Sequence, residues 1–320
     1  MKRFLAITVL GVALAAQAFG VATGAKEALK AGRMDEAISL LRAATREKSN
    51  DAEAWHLLSK AYLALERWDD AVKAAEKAVA LEPNNGDYHL WLGRAYGNKA
   101  ENSPFWKAWG LAKHVRMEFE KAVQINADNV DARSDLAEFY IEAPSMLGGG
   151  KDKAAQEADR IAAHNASAAH WVRGYLAEKN SDREAAEKEY VAAVEASGNQ
   201  AGRWLDLASF YRRTDQKQKM EAAVNSAIAA EKKSDETLFD AASILFRAGR
   251  NFNLAARLLR NYLKNPTSDE APAFKAHYLL GQILEKQGDK LGAAAEYQSA
   301  VEMAHDFQDA QNALKRVRGQ

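Results

Sequence analysis

Residues 55–83 read WHLLSKAYLALERWDDAVKAAEKAVALEP, and the spacing of their apolar and small residues decides the fold. Trp55, Leu58 and Tyr62 stand at i, i+3 and i+7, which is one face of an α-helix. Ser59 is small, so a second helix can approach closely there. Glu66-Arg67 turns the chain, and Ala71, Ala75 and Ala78 form the answering stripe before Pro83. A hairpin of two such helices cannot bury its apolar face alone and must stack on a neighbour.

The neighbours are present. A small residue in a first helix recurs at Ala25, Ser59, Gly93, Ala137, Gly174, Ala208, Ala242 and Gly281, in steps of 34, 34, 44, 37, 34, 34 and 39 residues. The sixth unit reads Trp204, Leu207-Ala208, Tyr211, then Met220, Val224 and Ala227; the last reads Leu280-Gly281, Leu284, Gly288, Ala293, Tyr297 and Ala300. The first keeps Ala37, Leu41 and Ala44, and the turns at Gly32, Gly249 and Gly288 carry glycine, which tolerates the left-handed conformation that often ends a helix. These residues resemble the tetratricopeptide repeat, W-x2-L-G-x2-Y followed by A-x3-F and P. The resemblance covers nearly all of residues 21–305. It implies an all-α, right-handed superhelical solenoid of about eight hairpins over residues 19–305. Residues 306–320 leave the pattern, but Phe307, Ala310, Leu314 and Val317 keep an amphipathic spacing, as expected of a capping helix and tail.

Residues 1–18 differ from the rest. Lys2-Arg3 precedes an apolar run over residues 4–15, and Ala16-Gln17-Ala18 is an A-x-A cleavage pattern, so a secretory signal peptide is expected. The run is short for a membrane span of about 20 residues, and no stable membrane insertion is expected after cleavage. Export, to a bacterial periplasm, is the expected location. Removing these residues leaves 42 basic and 44 acidic side chains, a net charge of −2. That balance argues against nucleic-acid binding, which needs a basic footprint. The chain has no cysteine, hence no disulfide framework and no thiol to carry chemistry or lipid.

Two adjacent units carry extra residues. The third is ten residues longer than the 34-residue step, with the surplus near 97–109. Ser103-Pro104 reads as a helix start, so the second helix of this unit is expected from about Pro104 to Gln124, bearing Phe105, Trp106 and Trp109. The fourth carries about five extra residues near 143–150, where Pro144 ends a helix and Met146-Leu147 precedes three glycines. Both insertions fall in the turn inside a repeat, and such turns share one edge of a solenoid. Phe105, Trp106, Trp109, Met146 and Leu147 are therefore expected together, either as a satellite hydrophobic cluster or as a ligand site. The long aromatic helix and glycine loop are similar to a bacterial exported subgroup of tetratricopeptide proteins.

Chemistry is not evident. Gly148-Gly149-Gly150-Lys151 is similar to a phosphate loop but has Ser145 where glycine is needed and Asp152 where Ser or Thr is needed. The seven histidines form no close metal spacing and read as lone surface or packing residues. No cofactor, metal site or catalytic residue is expected. In the resembled family the first helices line the concave side. Carried over by position, that side offers His56, Lys60, Arg94, Asn98, Glu138 and Glu142, then Trp171, Tyr175, Arg212, Phe239, Phe246 and Tyr278. Some members clamp a partner's C-terminal carboxylate with Lys and Asn; Ala22 and Lys26 at that pair depart from the clamp. The expected function is a non-catalytic exported adaptor that binds a protein or peptide on the concave face. The alternative is a small-ligand or glycan binder using the insertion edge.

Overall fold

The computed structural model describes residues 23–230, 236–266 and 268–319, so the expected signal peptide lies outside the described residues. These are all-α, with no strand among them. Eight antiparallel hairpins follow one another. The first pairs α1 (residues 23–30) with α2 (Met34–Glu47), and the second α3 (Ala52–Ala64) with α4 (Trp68–Leu81). The third pairs α5 (Gly86–Glu101) with the long α6 (Phe105–Ile125). In the fourth, α7 (Val130–Glu142) reaches α8 (Lys151–Ala162) through a single 3-10 turn at Ser145–Leu147. Then come α9 (Ala166–Lys179) with α10 (Arg183–Ala196), α11 (Ala201–Arg213) with α12 (Lys217–Ala230), α13 (Glu236–Arg247) with α14 (Phe252–Tyr262), and α15 (Ala273–Lys286) with α16 (Lys290–Met303). A last helix, α17 (Gln308–Arg318), packs on α16.

Volume complementarity sets the hairpin packing. The small residue of the first helix faces the residue sixteen positions later, allowing for insertions. A Cβ at Gly281 would lie 2.6 Å from the Tyr297 ring, and one at Gly93 would lie 2.5 Å from Phe119. Where the second helix offers a ring, only glycine leaves room for it. Where it offers Ala75 or Val224, the first helix carries Ser59 or Ala208, and Ser59 spends its hydroxyl on the Ala71 carbonyl at 2.8 Å. Neighbouring hairpins are then tied by tyrosine hydroxyls: Tyr96 donates to Glu76 at 2.6 Å and Tyr140 to Glu120 at 3.1 Å, each reaching the second helix of the preceding unit.

The position that opens the repeat motif is held by different residues with one bonding role. The Trp55 indole donates to the Ser49 carbonyl at 3.0 Å, six residues back. His89 places Nε2 3.0 Å from Pro83 O, and Arg133 donates from Nε to Ala127 O at 2.6 Å, again six residues back. On its other side this residue meets a second-helix carboxylate: His89–Glu118 at 2.6 Å, Arg133–Glu157 at 2.5 Å, His170–Glu189 and His277–Glu296 at 2.7 Å. Three of the seven histidines are thus repeat-equivalent and paired, which corrects the expectation of lone residues. Their partners sit on the other helix of the hairpin, out of reach of a close-spacing search.

The array curls until its ends touch. The Gly32 turn of the first hairpin abuts Ala273 at the start of α15, so closely that a Cβ there would lie 2.5 Å from the Ala273 nitrogen. Phe274, Ala300, Ala304, Phe307 and Ala310 belong to the same buried apolar cluster as Ala25, Met34 and Leu41. Ion pairs line the seam: Lys60–Asp269 at 2.6 Å, Lys275–Glu66 at 3.4 Å, His305–Asp35 at 2.7 Å, and Arg67–Asp306. The connection leading into α15, residues 268–272, is part of this closure.

Candidate partner-binding groove

Consecutive first helices touch one another, α3 on α5, α7 on α9 and α11 on α13, which makes them the tighter, inner wall of the curve. The early part of that wall centres on Trp91. Lys60 Nζ lies 4.4 Å and Arg94 Cζ 5.0 Å from its ring centre, and His56 meets it edge-on at 5.9 Å while stacking on Tyr88. Both cations are already paired, Lys60 with Asp269 and Arg94 with Asp135 at 2.6 Å. Burial, then the Lys60 charge, lowers the His56 imidazole to about 4. Asn98 donates to the Arg94 carbonyl at 2.9 Å.

The middle of the wall is acidic and aromatic. Trp171 and Tyr175 stack with centroids 5.9 Å apart; nearby, Asp206 pairs with Arg203 at 2.8 Å. Glu142 accepts from the Tyr175 hydroxyl and from Lys179 at 2.6 Å. Glu138 has no hydrogen bond or ion pair among the described residues. Its side chain reaches solvent, yet the enclosing groove walls, then Asp135, Glu142 and Glu101, raise its carboxyl to about 7. Further round, burial and the Glu270 charge raise Glu236 to about 7 and Asp240 to about 6. Glu270 is also near enough to act on the Arg94 charge of the third hairpin.

The remaining sequence-predicted residues divide. Arg212 faces other cations, and burial, then Arg213 and Arg247, lowers its pKa. Phe239 lines a cleft with Asp206, Asp240 and Arg247. Phe246 lies against Phe252, and Tyr278 against Tyr297 and Phe307, so these two rings pack within the solenoid. Sequence reasoning missed Trp91, Asp135, Asp206 and Asp240. All four stand two residues before a small residue, Gly93, Ala137, Ala208 or Ala242, so the repeat register itself could have found them. Nothing in the register marks Asp269 or Glu270.

The two insertions do meet. A cleft of about 590 Å³ lies between α5, α6 and the end of α7, with Ala100, Ala108, Ala112, Phe119, Phe139, Phe105, Trp109 and Leu147 on its apolar side. Its polar side is Arg94, Asn98, Glu101, Asp135, Glu138 and Glu142. The insertion edge and the groove, distinct in the sequence reading, are therefore one surface here. Trp106 and Met146 do not line the cleft, and each is 74% exposed. The glycines have a packing role: Gly148, at φ +95°, lies against Arg116, and a Cβ on Gly149 would overlap the Ala143 carbonyl. Among the described residues no group of three or more His, Asp or Glu is arranged to hold a metal, and no helix is long and apolar enough to cross a membrane.

Comparison with known proteins agrees with this architecture. Two family models, each described as tetratricopeptide repeat, match residues 28–95 and 239–306. The crystal structure of yeast Tom70 superposes with a TM-score of 0.58 at 16% identity, covering 89% of this chain and 59% of that one. A peroxisomal targeting signal receptor of Yarrowia lipolytica is 28% identical over 122 residues, 36% of this chain and 20% of the receptor. The chain thus spans a fifth of that curated relative's length. With eight stacked hairpins and these matches, the chain is a tetratricopeptide repeat protein, a class whose members serve generally as protein-interaction scaffolds.

Proposed function

We propose that the protein is a non-catalytic adaptor, exported to a bacterial periplasm, that holds a segment of a protein or peptide partner along its closed concave groove. The observation that carries this reading is the inner wall itself, where Trp91, Trp171 and Tyr175 alternate with charged side chains from five successive hairpins. Aromatic rings with a polar surround are the usual anchors of binding energy, worth about 2 kcal/mol or more each when desolvated. Asp135, Glu142 and Asp206 of the groove pair with arginine or lysine, an arrangement suited to recognition. The similarity to a targeting receptor is consistent with binding a short segment of another protein, though it covers a fifth of that receptor. Export is supported by Lys2-Arg3, the apolar run and Ala16-Gln17-Ala18.

The test places photo-reactive residues at Trp91 and Tyr175 on the inner wall and at Lys77 on an outer helix, in the native cell. A partner identified by mass spectrometry from the inner positions and absent from Lys77 is the expected result. No product at either inner position sinks the reading. Mass analysis of the mature chain checks export separately, with Phe19 expected as the first residue.

A further inference from the structure

The insertion cleft has a chemical character of its own. Its apolar side is open where a bare repeat would be filled, because Ala100, Ala108 and Ala112 are small and α6 overruns its partner helix. Phe105 and Trp109 stand over that space in edge-to-face contact at 5.5 Å, and Phe105 is 73% exposed. Across from them, Asp135 and Glu142 are matched by Arg94 and Lys179. Among the described residues Glu138 and Glu101 have no cationic partner in hydrogen-bonding range, and Glu101 is near enough to act on Glu138. Lys107 and Lys113 do not line the cleft, and Lys179, the cation that acts on Glu138, is already paired with Glu142. An occupant must therefore bring both apolar surface and positive charge.

Building on the adaptor reading, we propose that this cleft receives a large apolar side chain of a protein partner that carries lysine or arginine within a helical turn of it. The apolar side chain fills the space between Trp109, Phe119 and Leu147, and the cation sits on Glu138 with Glu101 beside it. Glu138 lies on the face of α7 that carries Asp135 and Glu142, so the cation is read at the lip of the cleft and the apolar group inside it. Charge at the lip steers and selects, while the enclosed contact supplies affinity.

The test titrates the full chain with three short fluorescent peptides. One has a central leucine flanked by lysines, the second the same leucine flanked by glutamates, and the third the lysines flanking a serine. The first should bind about tenfold or more tightly than the other two. Trp109→Ala and Glu138→Gln should each weaken it about fivefold or more, with Trp109→Phe restoring most of the affinity and Trp106→Ala changing nothing. Circular dichroism verifies that each variant is folded. Equal binding of the three peptides, or indifference to both Trp109 and Glu138, overturns the proposal. So does self-association that Trp109→Ala abolishes, since the occupant would then be a second copy. A native partner captured at Tyr175 whose affinity ignores both substitutions would leave the adaptor reading intact and overturn this one alone.

Discussion

Lys60 in the second hairpin and Asp269 in the connection before the eighth lie 2.6 Å apart, although 209 residues of chain separate them. The pair marks the seam at which a linear stack becomes a closed one. It is partly exposed, so its own contribution is on the order of 1 kcal/mol or less. The apolar contacts of Phe274 and Phe307 with the first hairpin, and of the Gly32 turn with Ala273, supply the rest of the closure.

Charge reversal at this pair should open the seam. Asp269→Lys sets two cations against each other beside Arg94 and is expected to raise the radius of gyration measured by small-angle X-ray scattering. Lys60→Glu in the same chain should return it towards the parent value. An unchanged radius in Asp269→Lys would show that the apolar contacts close the array without the ion pair.

Packing inside a hairpin makes a second prediction. Gly281→Ala forces a methyl group to within 2.6 Å of the Tyr297 ring and should cost about 1–3 kcal/mol in urea denaturation. Gly110→Ala, where nothing lies within 4 Å, should instead stabilise by about 0.5–1 kcal/mol, as removing a glycine from a helix interior does.

The Arg133–Glu157 pair is buried, with the Glu157 side chain 4% exposed. Glu157→Ala leaves the guanidinium uncompensated and should cost about 3 kcal/mol. Arg133→His should be far milder, under about 1 kcal/mol, because three other hairpins use histidine and glutamate at the same two positions. Thermal melts of the two variants check the order.

Glu138 makes the groove sensitive to pH. Its carboxyl sits at about 7 rather than 4.5, so the stability tied to its protonated form is complete below pH 4.5 and is lost as pH rises through 7. Glu138→Gln keeps the uncharged form and should melt higher than the parent at pH 8, with the difference gone at pH 4.5. His56 works in the opposite sense: lowered from 6.5 to about 4, it costs stability as pH falls through that window. Comparing each variant with its parent at the same pH separates the two.

Much of this was legible in the linear chain. Trp55, Ser59 and Tyr62 announce a hairpin because helical faces are set by spacings of three and four residues, and the pairing of Gly281 with Tyr297 follows from complementary volumes at a constant separation. The junction of the two insertions was legible as well, since both lie in turns on one edge. The inner wall was read only in part. Phe246 and Tyr278 have the right register but pack against Phe252 and Phe307, because a ring on the flank of a first helix can turn to either side.

The order of residues by itself determined the repeat, the number of hairpins and the small-against-large matching within each, since these depend on contacts a few turns apart. Only the tertiary structure decided that Asp269 would reach Lys60. Closure is the sum of small rotations between successive hairpins. No single unit encodes that sum, and the longer steps at the third, fourth and seventh units alter it.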